Sequence, residues 1–230
     1  MGIFIISIAG ILCTAGLTGC SDTNRTDKSS EIEEVGDETA AVSAAAERDF
    51  SFFLERIPDT EVSAYGFLSR DELHNVRPGT PLRVHTVDVD RSGETPVVGG
   101  MRAMDEWRVP LLVEGEPRAL LTVVRQGAEY KAVDFGAAGL AAALSETPQA
   151  ARKTSSDALY LLRVFELRQD FLCTPRDDGD RFYPLSTHAR SDTAPGGLSR
   201  AVPAAAVTEE YLDRNAVLSM IAQHVKAAAP

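Results

Sequence analysis

The side chains best placed to do chemistry lie in Asp88-Val89-Asp90-Arg91-Ser92-Gly93. Oxygen donors at alternate positions before a glycine match the opening of a calcium loop, with Asp88, Asp90 and Ser92 as candidate metal ligands. An EF-hand would need a bidentate carboxylate at its twelfth position, where Gly99 stands, and the flanks read as strand. The plainer reading is a polar hairpin turn with Gly93 at positive φ. Zinc is poorly served, because His74, His85, His188 and His224 have no partners at ligand spacing and HExxH and paired CxxC motifs are missing. Cys173 and His188 would form a thiolate pair only if the chain between them folds back, and a lone cysteine beside Phe171 and Leu172 reads as a small buried hydrophobe. There is no GxSxG elbow. Gly99-Gly100 and Gly196-Gly197 lack the strand–glycine–helix setting and the lysine of a phosphate loop. No catalytic residue is assigned, no cofactor is implied, and the reading leans away from an enzyme.

The elements that would position these residues suggest an α+β domain. Val42, Ala46, Phe50, Phe53, Leu54 and Ile57 recur at helical spacing, and Pro58 ends the run. Leu82 to Asp90 alternates roughly. Trp107 to Val113 alternates well, with Pro110 suiting an edge strand or a bulge. Turns at Glu114-Gly115-Glu116 and Gln126-Gly127 lead into Arg118 to Arg125 and Glu129 to Phe135, an antiparallel meander. A short helix is expected over 136–144. Leu159 to Leu167 reads as strand leading into Phe171 and Cys173, and Asp177-Asp178-Gly179-Asp180 as a hairpin turn. Residues 184–207 read as a long irregular segment. A final helix is expected to be capped by Thr208, with Tyr211, Leu218, Ile221, Ala222 and Val225 on one face. The expected fold is thus an antiparallel β-meander sheet packed by N-terminal and C-terminal amphipathic helices. A cystatin-like arrangement fits this element order by analogy alone.

Charge divides the chain. The formal net charge is −11, and the seven acids between Ser21 and Glu38, against Arg25 and Lys28, contribute −5 of it. A net acidic chain without clustered Lys and Arg argues against nucleic acid as a partner. Residues 21–38 have almost no large apolar side chains and are expected to form a disordered tether.

Residues 1–19 are uncharged, with an apolar core from Ile3 to Ile11 that suits a signal peptide and is too short to span a bilayer comfortably. The core ends in Leu17-Thr18-Gly19-Cys20. This tetrapeptide resembles the lipobox of bacterial lipoproteins, and the resemblance covers the first twenty residues. It implies cleavage before Cys20, lipidation of Cys20, and attachment to a membrane. No Lys or Arg precedes Ile3, so either translation starts upstream or the amino terminus supplies the usual positive charge. By the same resemblance Ser21, in place of a retaining Asp, favours the outer membrane facing the periplasm in a Gram-negative cell. Of the three cysteines only Cys173 would keep a thiol, so no intramolecular disulfide is expected.

The expected organisation is a signal peptide over 1–19, a lipidated cysteine and tether over 20–40, and one domain over 41–230 with a sub-boundary near 147–157. The expected role is a lipid-anchored binding or assembly module of the cell envelope with an envelope protein partner. The alternatives are an envelope hydrolase with a dispersed site, or a carrier of lipid or a small ligand.

Overall fold

A computed structural model describes residues 27–92, 97–147, 159–186 and 211–228, with side chains from Asp37 onward. Helix α1 (Asp27–Leu54) is followed by two 3-10 turns (Asp59–Tyr65 and Arg70–Asn75). The strands are β1 (Arg77–Pro78), β2 (Leu82–Asp90), β3 (Val97–Val113), β4 (Glu116–Gln126) and β5 (Glu129–Gly136), then β6 (Tyr160–Val164), β7 (Gln169–Thr174) and β8 (Arg181–Leu185). Helix α2 (Ala138–Glu146) lies between β5 and β6, and α3 (Arg214–Ala227) follows β8.

The fold is α+β. The sheet runs β5-β4-β3-β2-β6-β7-β8, with β1 beside β3. The meander is present: β2 to β5 pair antiparallel in succession. Glu114 and Gly115 both take positive φ (53° and 85°), the conformation that a two-residue hairpin turn requires. A second meander, β6-β7-β8, joins the first through a parallel pairing of β6 with β2. Parallel neighbours need a crossover, and α2 lies on that connection.

Departures from simple alternation have local causes. β2 alternates poorly because its register against β3 shifts between Arg83 and His85 and again between Val87 and Val89. Pro110 lies in an interior strand rather than at the sheet edge. Its carbonyl accepts from the Gly79 amide at 2.7 Å, at the seam where β1 gives way to β2, so the missing N–H faces a break in the ladder. The run Leu159 to Leu167 is not one strand: β6 ends at Val164, and Arg168 at φ 51° turns the chain into β7.

Paired residues of a sheet share a face, so the register sorts the core. Trp107, Val109, Leu111 and Val113 of β3, with Ala119, Leu121 and Val123 of β4, pack against Val42, Ala45 and Ala46 of α1. Leu162, Phe171, Cys173 and Phe182 pack against Val217, Ile221 and Val225 of α3 on the same face. Leu120, Leu161 and Leu172 point the other way, onto Leu140, Ala141 and Leu144 of α2. The terminal helices therefore share one face, and α2 covers part of the other.

Four expectations are corrected at the ends. α1 begins at Asp27, so the acidic stretch expected to be disordered is helical from there on. The folded unit also starts before residue 41, since Glu38 accepts from Arg83 at 2.7 Å and from the Tyr130 hydroxyl at 3.0 Å. Composition registers charge and misses a tertiary partner. At the other end α3 is capped by Asp213, whose carboxylate accepts from the Ala216 amide at 2.8 Å. Tyr211 precedes this helix and lies off its apolar face, and Leu212 makes a β-bridge with Phe182. Thr208 and the segments 148–158 and 187–210 lie outside the described residues.

Candidate functional site

Leu17, Thr18, Gly19, Cys20 and His188 lie outside the described residues, as does Gly93. Asp88 is engaged by Arg102 at 2.6 Å, and Asp90 accepts from the Ser92 amide at 2.8 Å, which lowers its carboxyl pKa. That is an Asx turn, and Gly93, on which the hairpin reading depends, lies outside the described residues. Among the described residues no three His, Cys, Asp or Glu side chains gather as a metal site would require. Cys173 is fully buried, and burial pushes its thiol well above the usual range. A thiol so placed is a core hydrophobe.

The charged groups that do meet hold each other. On the α2 face of the sheet, Arg108 pairs with Glu106 at 2.8 Å and donates to the Thr122 hydroxyl, and Arg163 pairs with Asp170 at 2.9 Å. Both carboxylates of this row are matched by arginine. At the β7–β8 turn, Asp180 accepts from the Tyr160 hydroxyl at 3.0 Å and from Arg214 at 2.8 Å. This joins β6, the turn and the start of α3. Burial raises the Tyr160 pKa and lowers that of His85, whose ring lies 4.4 Å from the Tyr160 ring.

The arrangement most open to a partner is at the β5 edge. Among the described strands β5 pairs on one side only, with β4. Beside it runs the outer face of α1, where Ala41, Ala44, Arg48 and Phe52 follow at helical spacing while Val42, Ala45 and Ala46 turn into the core. The two alanines are too small to close the gap. They leave an open groove of about 900 Å³ between α1 and the Glu129–Ala132 segment of β5. Phe52 stands 51% exposed in its wall, with the Arg56 guanidinium 3.3 Å from its ring centre.

Arg48 and Asp49 reach the strand across this groove. Arg48 Nη2 donates to the Tyr130 carbonyl at 3.0 Å, and Asp49 Oδ2 accepts from the Ala132 amide at 3.1 Å. The two side chains also pair with each other at 2.7 and 2.8 Å. The hydrogen bond from Arg48 holds the Asp49 carboxyl below its ordinary range, with the Ala132 amide adding to the effect. Sequence reasoning missed this site because its two sides are 82 residues apart in the chain and neither carries a motif. No known family, no curated protein and no solved structure matches the chain.

Proposed function

We propose that the chain is a bacterial lipoprotein, anchored through Cys20, whose folded part is a binding or assembly module of the cell envelope. The groove between α1 and β5 is its docking face. The address rests on the lipobox-like Leu17-Thr18-Gly19-Cys20, and Ser21 favours the outer membrane facing the periplasm. The observation that carries the binding role is the pairing of an unshared strand edge with a half-exposed aromatic across an open groove. Strand edges and apolar grooves are two recurrent ways of holding a protein segment. The matched arginine–carboxylate pairs elsewhere give no comparable support to acid–base catalysis.

The test is affinity recovery from solubilised envelopes with three baits: the full-length chain, Ala44→Arg and Phe165→Ala. Ala44→Arg fills the groove, whereas Phe165 is exposed in the β6–β7 turn. The wild type and Phe165→Ala should recover one common protein that Ala44→Arg loses. Recovery of the same proteins by all three baits would contradict the assignment.

A further inference from the structure

An unpaired strand edge attracts other strands, and folded proteins commonly protect it. β5 carries two such protections. The first is Arg48 with Asp49, which occupy the Tyr130 carbonyl and the Ala132 amide on either side of Lys131. These are main-chain groups that an added strand would use. The second is a bulge: Thr122 pairs with Asp134 and Val123 with Ala132, so Val133 is an extra residue that bends the edge beyond the occupied groups.

The two protections differ in kind. A bulge is built into the backbone. Arg48 is 59% exposed and extends from a helix, so a rotamer change releases its hydrogen bond to β5 without moving the core. Asp49 stays paired with Arg48, and the two can leave together. The stretch of edge beneath them is then free, and the groove already has room beside it.

We infer that Arg48 and Asp49 form a latch over a strand-addition site, and that the strand it holds off is β5 of a second copy of this chain. Charge singles out that occupant. The groove wall has two cations, Arg48 and Lys131, and two anions, Asp49 and Glu129, and sums to zero in a chain of net −11. Two copies of an acidic chain repel, and at this neutral strip they can approach without added like charge. A two-fold axis makes the paired strands antiparallel and sets each copy's α1 beside the same seam.

This inference goes beyond the envelope-partner reading and is tested without it, on the purified full-length chain in mild detergent. Light scattering across a concentration series gives the dimer dissociation constant. The wild type should be monomeric where Arg48→Ala/Asp49→Ala forms dimers at least about tenfold more tightly. Adding Ala132→Pro, which deletes the outward amide, should return that variant to monomer. A latchless variant that stays monomeric would overturn the inference. So would association that survives Ala132→Pro, as misfolding would cause, or a wild type that dimerises as tightly as the latchless form.

Discussion

His85 and Cys173 are two groups whose chemistry is set by where the sheet places them. Burial lowers the His85 pKa, and the neighbouring Arg83 charge acts in the same direction. In the unfolded chain a histidine takes its proton near pH 6.5, about where an unperturbed imidazole titrates. The folded state binds that proton only at lower pH, so the unfolded state holds more protons and stability falls as the pH drops below this value. Melting temperatures measured between pH 7.5 and 5.5 should therefore decline, and His85→Gln should flatten the decline. Asp49 acts in a lower window. Its depressed carboxyl contributes stability above the ordinary aspartate range and loses it as the pH falls through the folded value. Cys173 should resist thiol reagents in the native chain and react fully in denaturant, read by mass spectrometry of its peptide. Rapid native labelling would contradict its burial.

At the scale of elements, each helix is held by a small number of contacts. Leu121 is fully buried in the layer between β4 and α1, so Leu121→Ala should cost roughly 2–5 kcal/mol in chemical denaturation. Asp213→Ala removes the cap of α3 and should cost about 1 kcal/mol, while Asp213→Ser retains most of it. The meander was legible because its turns carry glycine at Gly115 and Gly127 and its strands alternate. The β6–β7 turn was not, because Phe165 to Arg168 contains no Gly, Pro, Asn or Asp, and Arg168 takes the positive φ that such residues usually supply. The parallel pairing of β2 with β6 was equally hidden, since a contact between Arg83 and Tyr160 leaves no local trace. The candidate site failed to show for the same reason. Ala41, Ala44 and Arg48 are unremarkable on a helix and become a groove only when β5 is laid beside them.

At the scale of the whole molecule, address and contact are separable. The residues proposed to specify attachment lie in the first twenty, and the groove belongs to the unit that begins at Gly36. Labelling with a radioactive fatty acid should mark the wild type and leave Cys20→Ala unmarked; equal labelling of both would remove the anchor while leaving the groove untouched. The uneven charge fits the same division. The stretch from Ser21 to Glu38 holds −5 of the net −11, whereas the groove wall is neutral, so contact there is less exposed to screening by salt than contact through the acidic stretch. The most direct measurement is site-specific photocrosslinking in intact envelopes, with the crosslinker placed at Phe52 in one chain and at Phe165 in another. A docking groove predicts a discrete protein adduct from Phe52 that is absent from Phe165 and is abolished by Ala44→Arg. The same adducts from both positions, or none from Phe52, would contradict it.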